Sequence, residues 1–152
     1  MPYDDAVRAV VRAWKDRGLR RLATVAGQIL AEAVPRPDAA VLAFVPPDGD
    51  RSGKRGHHPA ERLAWELGRR WELPVERLLA RTRTVSQQRG LSLAERRRNV
   101  RGAFRPVGVA PARVVLVDDV YTSGATAAAA ASALRKGGAR HVEVVTFARA
   151  VR

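Results

Sequence analysis

The residues best equipped for chemistry lie in one short stretch, VVLVDDVYTSGAT (114–126). A hydrophobic run ends in Asp118 and Asp119, and just beyond them Thr122, Ser123 and Thr126 place hydroxyls around Gly124. Adjacent carboxylates suit sugar hydroxyls or a phosphate-bound Mg2+, an ion usually held by one or two carboxylates together with substrate phosphates. They repel a bare phosphate. The turn suits the opposite partner, because glycine lets the backbone approach closely. A helix starting at Ala125 would also point free N–H groups and its positive dipole end at an anion. A plainer reading is that the acids end a strand while Thr122 or Ser123 caps the helix. Capping accounts for one hydroxyl residue. It leaves two adjacent carboxylates on a strand end, where Asp is depleted.

These residues need a frame. Val114–Val117 reads as a buried strand, Ala125–Lys136 as an Ala-rich helix pressed close to a sheet, and HVEVVTF (141–147) as a second strand after Gly137-Gly138. That order is a βαβ crossover, which implies a parallel sheet covered by helices on both faces. Ligands of such sheets sit at the carboxyl ends of the strands, where Asp118 and Asp119 fall. Upstream, 3–17 reads as a helix with Val7, Val10, Val11 and Trp14 at helical spacing. A second helix at 19–33 sets Leu22, Val25, Ala26, Ile29 and Leu30 on one face. AAVLAFVP (39–46) is a buried strand and 46–59 a long basic loop. A helix follows at 60–71 with Leu63, Ala64, Leu67 and Trp71 inward. Then come a strand at 75–81, a polar loop at 82–91 and a short basic helix at 94–100. Trp14, Trp65 and Trp71 fall on apolar faces, which makes them packing residues rather than base-stacking platforms. The reading is one domain over 1–152, with an N-terminal helical part at 1–38 and an α/β core at 39–152.

Composition narrows the class. The 152 residues contain no cysteine, which excludes disulfides and thiolate metal sites, so no zinc is expected. No run approaches the ~20 apolar residues of a membrane span. The opening MPYDDAVRAVVRAWK lacks the apolar core of a signal peptide. A cytoplasmic location without membrane insertion is the expectation. The 28 Lys+Arg against 15 Asp+Glu give a net charge of +13, mostly from arginine. A GC-rich genome enriches arginine and alanine together. Such a charge also attracts phosphates and nucleic acid at long range.

VVLVDDVYTSGAT resembles the phosphoribosyl-pyrophosphate (PRPP) signature of the type I phosphoribosyltransferases. The resemblance implies a Rossmann-like α/β fold whose mostly parallel central sheet is flanked by helices. It further implies that Asp118 and Asp119 hold the ribose 2- and 3-hydroxyls, while Thr122, Ser123, Gly124, Ala125 and Thr126 cradle the 5-phosphate. In that family a loop after the first sheet strand contacts the pyrophosphate. The matching stretch, VPPDGDRSGKRG (45–56), carries Arg51, Lys54 and Arg55.

LLARTRTVSQQRGLSLAERRRNVRGAF (78–104) and LRKGGARHVEVVTFAR (134–149) are similar to one branch, the competence-associated ComF proteins. Two departures stand out. Members commonly open with a four-cysteine zinc module, whereas this chain has no cysteine. They also tend to carry Phe-Asn-Gln after the loop Arg-Gly, where this sequence has His57, His58 and Pro59. The resemblance implies Mg2+-dependent transfer of a phosphoribosyl group from PRPP, or binding of another ribose phosphate, with a link to DNA uptake. Thr122 stands where purine-salvage members for 6-oxopurines usually have an aspartate, which argues against hypoxanthine or guanine as acceptor. Arg89, Arg96, Arg97 and Arg98, with Arg101, form a dense basic cluster for pyrophosphate, single-stranded DNA or solvent. DNA-uptake proteins are further expected partners.

Overall fold

Alternate residues along the central strands serve two different cores. The computed structural model describes residues 20–47, 58–82 and 102–149. The expected helix at 3–17, residues 48–57 of the basic loop and the segment 83–101, with its expected helix at 94–100, lie outside the described residues. In chain order the elements are α1 (Arg20–Ala33), β1 (Val41–Phe44), α2 (Pro59–Trp71), β2 (Val75–Glu76) and β3 (Leu79–Arg81). β4 (Phe104–Pro106), β5 (Arg113–Tyr121), α3 (Ala125–Lys136) and β6 (His141–Arg149) follow.

Four strands form one sheet in the order β2-β1-β5-β6, and every neighbouring pair is parallel. Leu42 and Phe44 of β1, with Val115 and Val117 of β5, face α1 and α2. Val41 and Ala43, with Val114 and Leu116, face α3 and a separate two-stranded sheet. Burial on both faces explains why these strands read as unbroken apolar runs. The sequence-based fold class, a mostly parallel sheet flanked by helices, is the observed one.

The helices dock according to residue size. On α2, Leu63, Ala64, Leu67 and Trp71 are buried as expected, and Leu63 and Leu67 are fully so. Each such leucine contributes about 1.5–3 kcal/mol by leaving water. Trp65, in contrast, is 56% exposed and does not pack in the core. The apolar face expected for α1 also needs correction, because Val25 and Ile29 are exposed while Ala23, Ala26 and Leu30 are buried. Gly27 supplies the reason: a Cβ there would lie 2.7 Å from the Cβ of Glu66, so α1 meets α2 through its smallest residues. Thr24 Oγ1 donates to Glu66 Oε1 at 3.1 Å across the same contact. On α3, Ala127, Ala130, Ala131 and Ala133 are buried, which brings this helix close to the sheet.

The strand expected at 75–81 is two strands. β2 extends the main sheet beside β1, whereas β3 leaves it and pairs antiparallel with β4, Leu79 opposite Pro106 and Arg81 opposite Phe104. Leu78 and Leu79 are both buried in the same core. Consecutive residues of a straight strand point to opposite faces, so the chain must bend, and Leu78 N–H donates to Glu76 O at 3.1 Å there.

A crevice at the carboxyl end of the sheet

The chain winds outward from the middle of the sheet in both directions, from β1 to β2 and from β5 to β6. The gap between β1 and β5 is therefore a topological switch point, the place where open α/β sheets bind ligands. The register between these two strands ends at Phe44 opposite Val117, and Val45 N–H donates to Val117 O at 3.0 Å. β5 continues to Tyr121. The strand thus runs four residues beyond the expected end at Val117, because β6 is equally long and keeps pairing, Asp118 with Thr146 and Val120 with Ala148. Asp118 and Asp119 lie within a strand, supported by β6, at the level where β1 has already turned away.

Both acids are buried, Asp118 at 9% and Asp119 at 8% exposure. They are the buried charged residues among those described. Strict alternation lapses here, since Val120 packs in the same core as Val115 and Val117. Asp118 Oδ1 accepts the Asp119 backbone N–H at 2.9 Å, which ties the first carboxylate to the second residue's backbone. Among the described residues no group of three or more His, Cys, Asp or Glu could hold a metal ion. An Mg2+ at the acid pair would have two carboxylates and would need phosphate or hydroxyl oxygens from a bound molecule, which fits this ion's habits.

The turn that follows is set by Gly124. Its φ is +71°, a conformation that costs other residues steric strain, and the Tyr121 ring fills the space beside its Cα. Gly124 is the residue before α3, and its carbonyl accepts the Ala128 N–H at 2.8 Å. No side chain caps the helix through Gly124. Ser123 Oγ is 3.4 Å from the Ala125 nitrogen, longer than an ordinary hydrogen bond. The capping explanation for these hydroxyls therefore has weak support. Thr122 is exposed, and Ser123 and Thr126 are half-buried. The turn gathers Thr122, Ser123, Gly124, Ala125 and Thr126 at the start of α3, directly beyond the acid pair on the same chain segment.

Of the other expected site residues, Arg51, Lys54, Arg55, Arg89, Arg96, Arg97 and Arg98 lie outside the described residues. The chain on either side of them is described. Pro47 leaves β1 at the crevice, and His58 precedes α2 with its Nδ1 buried and without a hydrogen-bond partner among the described residues. Thr82 N–H donates to Ala103 O at 3.0 Å, and its hydroxyl donates to Gly102 O, which joins the two ends of the segment 83–101.

Two residues that sequence reasoning passed over belong to this end of the molecule. Arg81 donates through Nε to Pro46 O at 3.0 Å, and its guanidinium lies 4.8 Å from the Phe104 ring centre. It thereby links the root of the first loop to the hairpin of β3 and β4. Arg149 sits 5.7 Å from the centre of the Tyr121 ring, beside the turn. The arginine-threonine pattern around Arg81 was the available signal. The Arg149–Tyr121 contact had none, because it depends on the register of β5 and β6.

Comparison with known proteins defines the class first. The fold superposes on the glutamine PRPP amidotransferase of B. subtilis, complexed with ADP and GMP, with a TM-score of 0.58 and 26% identity, covering 82% of this chain and 26% of that one. An adenine phosphoribosyltransferase shares the fold with a TM-score of 0.50 at 16% identity, over 90% of this chain and 72% of that one. The architecture is that of the type I phosphoribosyltransferases.

Sequence narrows it. Competence protein F of Haemophilus influenzae is 34% identical over 145 residues, 90% of this chain and 62% of that protein. The DNA utilization protein YhgH of Escherichia coli K12 is 35% identical over 99 residues, 62% of this chain and 42% of that protein. No protein-family model matches the chain. By sequence the chain is a homologue of these competence and DNA utilization proteins, consistent with the ComF family, and it spans less than two thirds of their length.

Proposed function

We propose that this protein binds PRPP, or a related ribose phosphate, in the crevice between β1 and β5 and transfers its phosphoribosyl group to an acceptor in the context of DNA uptake. The observation that carries this reading is the buried Asp118–Asp119 pair, set beyond the last β1 bond and followed directly by a glycine turn into a helix. Asp118 and Asp119 would accept hydrogen bonds from the ribose 2- and 3-hydroxyls. The turn from Thr122 to Thr126 would hold the 5-phosphate through backbone N–H groups and hydroxyls. Arg51, Lys54 and Arg55 would meet the pyrophosphate. In the transfer, the bond from C1 to the pyrophosphate oxygen breaks and the pyrophosphate leaves with the electron pair. The acceptor's nucleophilic atom forms the new bond to C1 and gives up a proton. Fixing C1 between the two partners, with cations at the departing charge, supplies the catalysis. A bound Mg2+ would neutralise pyrophosphate charge.

The test is calorimetry with Mg2+ and PRPP on Asp118→Asn/Asp119→Asn. Loss of binding in a folded variant is expected, and undiminished binding removes the assignment. A second reading is favoured by the net charge of +13 and by relatives named for DNA utilization. In that reading the protein is a single-stranded-DNA-associated accessory factor that engages DNA through Arg89, Arg96, Arg97 and Arg98, or a sensor of PRPP without turnover. A panel of acceptors monitored for pyrophosphate release separates these, since a sensor binds PRPP and releases none.

A further inference from the structure

The end of the sheet opposite the crevice holds cations that no carboxylate among the described residues pairs with. α3 closes with Arg135 and Lys136, and the turn after it packs against the loop that follows β4. Ala110 N–H donates to Gly137 O at 2.8 Å, and a Cβ on Gly137 would meet Pro106 at 2.9 Å. Arg140 N–H and His141 N–H both donate to Ala112 O at 2.8 Å. These contacts gather Arg105, Arg135, Lys136 and Arg140 on one end of the molecule, and all four are exposed. Two exposed apolar residues lie among them. Val109 is 86% exposed, with Cγ1 near Gly138, and Val107 is 37% exposed.

Elsewhere Arg69 and Arg70 pair with Glu66, Arg77 with Glu61 and Arg113 with Asp38, while Arg36 and Arg81 bond backbone carbonyls and Arg149 lies over the Tyr121 ring. Arg105, Arg135, Lys136 and Arg140 have no ion pair or side-chain hydrogen bond among the described residues. Asp38 is already engaged by Arg113 at 3.0 Å, and Glu143 is exposed further along β6. The negative end of the α3 dipole accounts for Arg135 and Lys136 in its last turn. It does not account for Arg105 and Arg140, which lie outside the helix.

We infer that this end of the sheet is a second recognition surface, for the phosphate backbone of single-stranded nucleic acid. Unpaired cations meet phosphates, and the exposed valines offer apolar contact to unstacked bases. A duplex would keep those bases stacked inside. The surface stands apart from the ribose-phosphate crevice. Along β5, Arg113 and Asp119 are roughly 20 Å apart at about 3.3 Å per residue. A strand bound here leaves the crevice open, so both ligands can be held at once.

Fluorescence anisotropy with a labelled mixed-sequence DNA strand of about twenty nucleotides tests the inference on the full chain. Changing Arg105, Arg135, Lys136 and Arg140 together to Ala is expected to weaken binding at least about tenfold at about 100 mM salt. The log–log salt slope should become shallower by up to about 3, from four contacts at about 0.7 each. Arg140→Glu alone gives a smaller loss in the same direction and serves if the fourfold variant does not fold. Asp118→Asn leaves the affinity unchanged, which separates this surface from the crevice. Undiminished binding by the fourfold variant overturns the inference. So does loss of binding only in Arg96→Ala/Arg97→Ala/Arg98→Ala, preference for a duplex of the same sequence, or equal competition by polyglutamate, which would mark an acidic protein partner.

Discussion

The ring of Tyr121 occupies the space that a side chain on Gly124 would need; a Cβ there would lie 2.6 Å from the ring's Cζ. With φ at +71°, Gly124 is constrained twice, by backbone geometry and by its neighbour. Gly124→Ala is expected to cost about 1–3 kcal/mol from the backbone conformation alone, with more from the ring. Adding Tyr121→Ala to that variant should relieve the clash and leave the backbone penalty. Urea midpoints of the two variants check this, and recovery to the parent value would show that the turn tolerates the alanine.

Asp118 has a structural duty separable from any ligand. Its Oδ1 accepts the buried Asp119 N–H, and Asn retains such an acceptor. Asp118→Asn should therefore keep its melting temperature close to that of the parent, while Asp118→Ala should lose about 1–3 kcal/mol by stranding that donor. Equal stability of the two variants would contradict the assignment.

Arg81 joins Pro46, just after β1, to Phe104 on β4. Arg81→Ala removes the hydrogen bond to Pro46 and the cation–π contact with Phe104, for a loss of at least about 1–2 kcal/mol. Faster amide exchange near Val45 and Phe104 should accompany it. Arg81→Lys should recover only part, since an ammonium lacks the planar fork. Unchanged exchange at both places would show that the link is idle.

The two neighbouring large residues of α2 should respond in opposite ways. Leu67→Ala empties a site at 0% exposure and should cost about 2–5 kcal/mol. Trp65→Ala alters a side chain that is 56% exposed and should stay within about 0.5 kcal/mol. Denaturant unfolding distinguishes them.

The sequence announced most clearly what is local. Val114–Val117, the acid pair and the glycine turn are contiguous, and their pattern pointed to a parallel sheet and a site at its carboxyl end. Less legible were features decided between distant segments. Val25 and Ile29 looked buried by helical spacing, yet Gly27 against Glu66 rotates α1 so that its small residues face α2. The end of β5 could not be read from β5 itself, because β6 prolongs it. The bend at Leu78 needed the partner strand β4, and the Arg149 contact needed the register of β5 and β6.

The length of β5 past β1 also bears on the order in which the protein can assemble. Acid pair, turn, α3 and β6 come from one uninterrupted stretch, so that wall of the crevice depends on contacts between near neighbours in the chain. The opposite wall forms only when β1 finds β5 in register, Val41 opposite Val114, across a long intervening segment. Short-range contacts close with a smaller loss of chain entropy than long-range ones. On that basis the sugar-phosphate wall takes shape early in folding, and the crevice becomes a crevice late, when β1 docks.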